Sequence, residues 1–450
     1  MELVESIPTT LESADHDEFQ VEVITDVLDP EWVAEAIAEG SSRSKRRRKL
    51  LADFMVFFVI LMGLYRRVSY ANLLEKLHGT RWTQRTWGDG APPTTRAVTE
   101  ARGRLGVETM SYLFLSSAIE WERQVEGKML AGLRCYALDG VCMKVTDTDE
   151  NREHYGVPKA SRGKSAFPQL RSVLLVDVAT HQVRAERHGP IADSEIALAW
   201  KFLQDIYPGM LVIMDRNFHA AAFLCTLMDR GAGVLVRAKR KHLKARAYQR
   251  LGPGDDLVWV RIPKSARRDY PDLPSRVRMR RVTYRPVGGR EDITLLTTIL
   301  DPEAASAEEL AAAYHDRWEG ESAFDELKTH LCDCATVNRP VVFRSKTPRR
   351  VEQEFYGLLI AFNVVCRIKA EAVEGRKVVP GEVSFVAAIE RIREALQEML
   401  WLPAPILTIR RDKMLKAIRR ARIKRRHGRS QPRAVRVKMS SYPVKHRAAA

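Results

Sequence analysis

Four side chains with aromatic, cationic and acidic chemistry lie at regular spacing in the segment 314–328. Tyr314, Arg317, Glu321 and Lys328 stand at offsets of 0, 3, 7 and 14. Because a helix turns about 100° per residue, the four fall within one stripe about 60° wide. An apolar stripe lies directly beside it, so the polar stripe is predicted at the rim of a packed domain. The spacing alone also fits an exposed stripe whose charges pair at i, i+4.

A start signal predicts where this helix begins. Ser306 and Glu309 fit a capping box, in which each side chain bonds the backbone N–H of the other residue. An alanine-rich run follows them, so we predict a helix that begins here and carries the whole stripe.

Two aspartates follow apolar runs that are typical of strands. Asp139 stands in "YALDGV" and Asp215 in "VIMDRNF". Desolvating a lone carboxylate is costly unless a cation compensates it, and Mg²⁺ prefers carboxylate oxygens. Two such ions about 3.5–4 Å apart can hold the attacking and leaving oxygens of a phosphoryl transfer, and Glu321 would supply a third acid. Each aspartate could instead be a turn-forming or capping residue.

The order of elements predicts how these acids would meet. Residues 1 to about 125 read as helices, followed by strands at 134–145, 171–178 and 181–188. A helix, a strand at 210–214, a second helix and a strand at 233–239 come next. This β-β-β-α-β-α-β order, with a helix to follow, is that of an α/β ribonuclease-H-like fold. Its first strand lies beside its next central strand, so the two aspartates can approach each other.

A basic, β-rich insertion interrupts the predicted core. Residues 239–292 are rich in Lys and Arg, and Arg276, Arg278 and Arg280 alternate there with apolar residues, so one face of a strand would be cationic and bind DNA. The predicted domains are a helical N-terminal DNA-binding domain (1–125), the catalytic core (126–238), the insertion (239–292), the second part of the core with the helix that carries the polar stripe (293–345), C-terminal helices (346–409) and a basic tail (410–450).

Charge is strongly sorted along the 450 residues, whose formal net charge is +17. Residues 1–40 carry twelve acids and no Lys or Arg, whereas residues 410–450 carry sixteen Lys and Arg and one acid. Basic blocks of this size attract polyanions, so nucleic acid is the predicted partner.

Other classes are disfavoured. Six irregularly spaced cysteines predict neither a disulfide framework nor a zinc site, which fits a reducing cytosol. The acidic N-terminus does not read as a signal peptide. The apolar run 50–64 is shorter than the roughly 20 residues that span a bilayer and contains Asp53, so we predict a buried helix.

These motifs together resemble the insertion-sequence DDE transposases, specifically the subgroup with a Tyr-x2-Arg-x3-Glu-x6-Lys signature. All four signature positions match, and the contexts Asp139-Gly140 and Asp215-Arg216-x-Phe218 are similar to the first two acid motifs of the family. The resemblance covers roughly residues 25–400. A β-rich insertion separates the last two acids in this family, as block 239–292 does here.

The resemblance implies roles for the matched residues. Asp139, Asp215 and Glu321 would hold Mg²⁺, for which Mn²⁺ would substitute, while Arg317 and Lys328 would hold DNA phosphates and Tyr314 would position the strand. The implied activity is cleavage at the terminal inverted repeats of the element and joining of the 3′-hydroxyls to target DNA. The family implies a dimer on double-stranded DNA in the bacterial cytoplasm, associated with the nucleoid, with neither membrane nor small-molecule substrate. A catalytically inactive DNA-binding derivative, or a nuclease or resolvase of the same fold, stays an alternative.

Glu321 provides a first test of this reading. The change Glu321→Gln keeps shape but removes the charge that holds a divalent ion, so cleavage in Mg²⁺ should fall by orders of magnitude. Binding to the element's ends, measured by gel shift, should survive, and the control Glu319→Gln should cleave normally. Normal cleavage by the Glu321→Gln protein would contradict the assignment. If that protein stays active while Asp325→Asn does not, the role belongs to Asp325.

Overall fold

A helical N-terminal part, a long mixed β-sheet and a helical C-terminal part follow one another along the chain. The computed structural model describes residues 22–40, 50–80, 83–84, 87, 90–160, 163–164, 167–239, 245–286, 291–325, 327, 342–423, 435–436 and 443–444. Within the helix 307–325 it describes the side chains as far as residue 317.

The N-terminal part is helical, as predicted. Its described helices are α1 (Glu22–Thr25), α2 (Pro30–Glu39), α3 (Ala52–Leu64), α4 (Tyr70–Leu77) and α5 (Thr95–Gln124). Helix α3 contains most of the apolar run 50–64 and is buried on all sides from Phe54 onward, which confirms the predicted buried helix. None of the helices in the described ranges is both long and apolar enough to cross a membrane.

The first part of the catalytic core forms one half of a large sheet. Its strands are β1 (Met129–Leu130), β2 (Leu133–Val145), β3 (Lys159–Ala160), β4 (Gly163–Lys164), β5 (Gln169–Asp177), β6 (Val183–Pro190), β7 (Met210–Met214) and β8 (Gly233–Arg237). Its helices are α6 (Asp149–Tyr155), α7 (Glu195–Trp200) and α8 (Ala221–Asp229). The strand order is β6-β5-β2-β7-β8, with β2 antiparallel to β5 and parallel to β7. Three antiparallel strands followed by two parallel ones confirm the ribonuclease-H-like fold.

The insertion extends this same sheet. Its elements are β9 (Ala247–Gly252), β10 (Asp255–Arg261), α9 (Lys264–Asp269) and β11 (Arg276–Tyr284), and the chain then returns in β12 (Ile293–Thr297). The sheet continues as β8-β12-β11-β10-β9, each pair antiparallel from β8 onward. The predicted β-rich character is therefore confirmed, and the insertion shares its backbone hydrogen bonding with the catalytic strands.

The signature helix lies on one face of the sheet. Helix α10 (Ala307–Asp325) begins with the predicted capping box: Ser306 N donates to Glu309 Oε2 at 2.8 Å, and Glu309 N donates to Ser306 Oγ at 3.1 Å. Its Leu310, Ala313 and Tyr314 pack on the side chains that β2, β7 and β8 direct to this face. Helices α7 and α8 cover the opposite face. The sheet is thus sandwiched, with α10 directly over β2 and β7.

The C-terminal part returns to the N-terminal helices. Its elements are β13 (Val342–Phe343), which pairs with β2, then α11 (Pro348–Val373), α12 (Phe385–Met399), α13 (Ala404–Arg420) and the short strands β14 (Val435–Arg436) and β15 (Pro443–Val444). Helix α11 is buried along most of its length. One hydrophobic core contains side chains of α3, α5, α11, α12 and one face of β2, β5 and β6. The segments on either side of the predicted boundaries near 125 and 346 therefore share one core. That these boundaries divide the chain by function stays a prediction.

Two glycines allow α3 and α11 to cross closely. A Cβ on Gly63 would lie 2.9 Å from the carbonyl oxygen of Gly357, and a Cβ on Gly357 would lie 2.7 Å from that of Val59. Farther along α11, Asn363 bonds both the N–H and the C=O of Val183, each at 2.8 Å. Val183 is on β6, the edge strand, so the helix satisfies backbone groups that an edge leaves unpaired.

The basic tail begins later than predicted. Residues 404–420 form α13, whose Leu407, Met414 and Ile418 are buried in the common core. The boundary at 410 is therefore wrong, because it cuts a helix that packs through its apolar face. Residues 424–450 carry nine Lys and Arg and no acid, and they keep the predicted tail composition.

Removing residues 424–450 should weaken binding to DNA of every sequence alike, because phosphate contacts carry no sequence information. If three of the nine charges engage phosphates, the slope of log K against log salt should become shallower by about 2.7. Fluorescence anisotropy titrations of DNA between 50 and 200 mM salt measure this slope, because phosphate contacts weaken strongly over that range of salt concentration. The melting temperature should stay constant, since α13 is intact. An unchanged slope would mean that the tail is not engaged in the complex.

Candidate active site and DNA-binding face

The parallel pairing of β2 and β7 brings the two predicted aspartates together. Leu138 is the register partner of Met214, so Asp139 and Asp215 occupy the next positions on neighbouring strands, which lie about 4.8 Å apart. The buried strand β7 ends at Met214, and Asp215 therefore stands at its carboxyl end. The structure confirms the predicted proximity of the two residues.

One oxygen of each aspartate makes a local backbone contact. Asp139 Oδ1 accepts from Gly140 N at 2.7 Å, and Asp215 Oδ1 accepts from Asn217 N at 2.7 Å. Asp215 thereby caps the short 3₁₀ turn Arg216–Phe218. The aspartates therefore do make the turn and capping contacts that were the alternative explanation for them. These contacts orient each carboxylate but involve only one of its two oxygens.

Arg317 compensates the charge of Asp139. Its Nη1 lies 3.0 Å from Asp139 Oδ2. The Arg317 side chain is 4 % exposed, and that of Asp139 is 23 % exposed. The alternative of an exposed, solvated stripe therefore fails for Arg317, because its guanidinium is buried against the sheet.

Tyr314 lies underneath this pair. It is 1 % exposed, and its ring centroid is 5.4 Å from the Arg317 guanidinium carbon. Burial raises the pKa of Tyr314, which keeps the phenol neutral. The packing of α10 on the sheet covers the Tyr314 ring, and the ring supports the guanidinium of Arg317. The expected role of Tyr314 in positioning the DNA strand stays a prediction, and it would act through Arg317.

The remaining signature residues are only partly described. Glu321 follows Arg317 by four residues in α10, so its Cα lies one turn farther along the same face of the helix. The side chain of Glu321 and the whole of Lys328 lie outside the described residues. Among the side chains that are described, which do not include that of Glu321, no group of three or more His, Cys, Asp or Glu could hold a metal ion.

The donor set suits a hard divalent cation. Two carboxylates stand side by side at a partly exposed edge, and a local backbone N–H holds one oxygen of each. A buried arginine already neutralises one of them, which indicates that this edge needs positive charge. Carboxylate oxygens are the ligands that Mg²⁺ and Mn²⁺ prefer, so the residues present fit such an ion.

Arginines and apolar residues alternate along β11 as predicted, but only part of the predicted cationic face is exposed. Arg276 and Arg278 are exposed, whereas Arg280 is 0 % exposed. Arg280 donates to both oxygens of Asp255, at 2.8 and 2.6 Å, and to the carbonyl oxygen of Ala305 at 2.6 Å. The prediction that Arg280 binds DNA is therefore wrong, because the segment before α10 covers this end of the strand.

Aromatic rings hold the two exposed arginines. The Arg276 guanidinium lies 4.3 Å from the centroid of Trp259, and Arg278 Nε donates to the Tyr248 hydroxyl at 2.9 Å. Neither arginine pairs with a carboxylate in the described part of the chain. Arg261 is the cross-strand partner of Arg276, so like charges face each other on an exposed surface. Such a pair is stabilised when an anion lies on it, which favours a phosphate backbone as ligand.

Sequence reasoning missed Tyr248, Trp259 and Arg261 as members of this face. The signal was present in "DDLVWVR", where Trp259 and Arg261 alternate with the apolar residues Val258 and Val260. Pairing of β10 with β11 was needed to place them beside the exposed arginines.

Replacing single arginines of β11 should distinguish those that bind DNA from the one that stabilises the fold. Arg276→Gln and Arg278→Gln should each weaken DNA binding and lower the salt slope by about one, while the melting temperature stays near that of the wild type. Arg280→Gln should instead lower the melting temperature, because it leaves the buried Asp255 carboxylate unpaired, at a cost of about 3–5 kcal/mol. Binding isotherms and thermal unfolding measure the two effects. Equal loss of stability in all three variants would contradict the division.

Two family models and a solved structure match parts of this chain. The family described as "Insertion element 4 transposase N-terminal" matches residues 18–115, and the family described as "Transposase DDE domain" matches residues 131–364, more than half of the chain. A solved piggyBac transposase, in a synaptic complex with hairpin DNA, gives a TM-score of 0.44 at 11% identity, covering 89% of this chain and 86% of that one.

Curated relatives match over comparable lengths. Transposase InsG for insertion sequence element IS4, from Escherichia coli (strain K12), is 27% identical over 424 residues, covering 93% of this chain and 92% of that protein. Putative transposase InsZ of the same organism is 27% identical over 211 residues, covering 45% of this chain and 66% of that protein. The chain therefore belongs to the DDE transposases.

Proposed function

We propose that this transposase binds the terminal inverted repeats of its own insertion sequence, cleaves the ends and joins the freed 3′-hydroxyls to target DNA. Membership of the DDE transposases establishes transposase activity on DNA and a general dependence on divalent metal ions. The cut-and-paste course, the identity of the metal and the residue roles are part of the proposal. The observation that supports it most is the placement of Asp139 beside Asp215 beneath the helix of Glu321.

The three acids would hold Mg²⁺, for which Mn²⁺ would substitute. A bound divalent ion supplies Lewis acidity at the phosphate and lowers the pKa of an attacking water or hydroxyl. The chain contributes the positions of the carboxylates. Gly140 N and Asn217 N each hold one carboxylate oxygen, and the strand register fixes the spacing of Asp139 and Asp215. Charge that develops in the transition state would thus meet preorganised groups.

DNA would lie across the sheet face that carries α10. Arg276 and Arg278 are on this same face, and three strand spacings separate β7 from β11, the strand that carries them. At about 4.8 Å per spacing this is roughly 14 Å across the sheet, which is the length of about four base pairs. A duplex that enters the active site is therefore long enough to reach the exposed arginines. Lys328 and the basic tail would add further phosphate contacts.

Joining two ends to one target requires that both ends are held together. We therefore propose a dimer on DNA, with the helical N-terminal part contributing to binding of the ends. The same reasoning places the protein at the bacterial nucleoid, where its element resides.

This function is tested by cleavage and joining assays with purified protein and the DNA that flanks the gene on both sides. Asp139→Asn and Asp215→Asn should each abolish cleavage and joining in Mg²⁺ or Mn²⁺, by orders of magnitude, while binding to the ends is retained. The control Asp229→Asn changes an exposed aspartate at the end of α8 and should be fully active. Cleavage by the wild type without joining of paired ends would favour a nuclease, and no cleavage at all would favour an inactive derivative.

A further inference from the structure

We propose that Arg317 is a stand-in cation: it holds Asp139 until DNA is bound, and it must leave Asp139 for a divalent metal ion to bind tightly. This inference rests on the proposed function, in which Asp139 is a metal ligand. Its basis is the contact of Arg317 Nη1 with Asp139 Oδ2 at 3.0 Å. The other oxygen of the same carboxylate already accepts from Gly140 N. The guanidinium therefore occupies the second oxygen of this carboxylate.

The packing of α10 fixes this contact. His315 Nε2 lies 3.2 Å from the Tyr284 hydroxyl on β11, and Asp316 forms an ion pair with Lys128. Tyr314 is buried in the core below. Residues on three successive positions thus anchor the helix turn that carries Arg317, so that its side chain can move relative to Asp139 while its backbone stays in place.

Electrostatics oppose simultaneous occupancy. A divalent ion on Asp139 would lie within a few ångströms of the guanidinium, and at equal distance its double charge repels Arg317 twice as strongly as one carboxylate attracts it. Both groups are largely removed from water, so screening is weak. Metal binding to the DNA-free protein is therefore weakened by the energy needed to move Arg317.

A DNA phosphate removes this obstacle. Phosphate oxygens accept from a guanidinium in the same bidentate manner as a carboxylate, so DNA at the site offers Arg317 a new partner. DNA binding and metal binding would then favour each other by the same factor, because linkage is reciprocal. The DNA-free enzyme would hold its metal poorly, which limits cleavage away from a bound end.

A purely structural ion pair predicts the opposite behaviour. If Arg317 only orders Asp139, then removing it would disturb the site and weaken metal binding. If Arg317 competes with the metal, removing it would strengthen metal binding and abolish most of the effect of DNA. The sign of the change in metal affinity therefore distinguishes the two roles.

The test measures Mn²⁺ affinity by electron paramagnetic resonance of the free ion, with and without a short duplex of the element's end. For the wild type, the duplex should tighten Mn²⁺ binding about tenfold, beyond what the duplex alone binds. Arg317→Gln without DNA should bind Mn²⁺ about tenfold more tightly than the wild type, and the duplex should add less than about threefold. Arg317→Lys, which keeps the charge, should remain close to the wild type.

Arg134→Gln is the matched control. Arg134 Nε lies 2.8 Å from Asp177 Oδ2 in the same sheet, away from the acids, so this change should leave Mn²⁺ affinity unaltered. Equal or weaker Mn²⁺ binding by Arg317→Gln would overturn the proposal. If that variant does not fold, as judged by circular dichroism, a wild type whose Mn²⁺ affinity is unaffected by the duplex would overturn it equally.

Asp139→Asn separates this inference from the proposed function. Loss of Mn²⁺ binding in Asp139→Asn together with an unchanged Arg317→Gln would reject the stand-in role alone. Wild-type Mn²⁺ affinity in Asp139→Asn would show that Asp139 is not a ligand, and the proposed site itself would then fail.

Discussion

Two carboxylates that lie side by side at the edge of a buried sheet repel each other. The structure around them must therefore supply groups that compensate their negative charge. Asp139 and Asp215 are neighbours because β2 and β7 pair in parallel with Leu138 opposite Met214. Local N–H donors and one buried guanidinium offset their charge in the protein alone. Apolar packing of Leu310, Ala313 and Tyr314 places α10 over this edge, where its Arg317 supplies positive charge. The same need for positive charge agrees with the fit of the site to a divalent ion.

The helical parts are joined rigidly to this sheet. Helix α11 packs on α3, where Gly63 and Gly357 let the two backbones approach, and its Asn363 completes the hydrogen bonding of the edge strand at Val183. Buried contacts also tie α5 to the start of α11: Arg102 Nε donates to Gln353 Oε1 at 2.8 Å. The two matched families, at 18–115 and 131–364, thus meet in one core. DNA held by the N-terminal helices would keep a fixed position relative to the acids.

The insertion shares this rigidity because it continues the same sheet. Hydrogen bonding from β8 through β12 to β11 places the exposed arginines at a set number of strands from the active site. The buried pair of Arg280 with Asp255 closes the inner end of that basic face, while Trp259 and Tyr248 hold the guanidinium groups at the outer end. Strand β11 therefore contains Arg280 and Arg281, which pair with carboxylates of β10, and Arg276 and Arg278, which are exposed.

The sequence by itself determined the local elements and their order. The capping box at Ser306 and Glu309, the buried helix α3 and the strand order around Asp139 and Asp215 were all predictable, because each depends on residues close in sequence or on periodicity. Periodicity shows on which face of a helix or strand a side chain lies, but it does not show which segment of the chain packs on that face. Only the tertiary structure could therefore decide that Arg280 and Tyr314 are buried, that Arg317 pairs with Asp139, 178 residues away in sequence, and that α13 packs on the core beyond residue 410. Those outcomes depend on contacts between distant segments, whose geometry is fixed by packing of the whole chain.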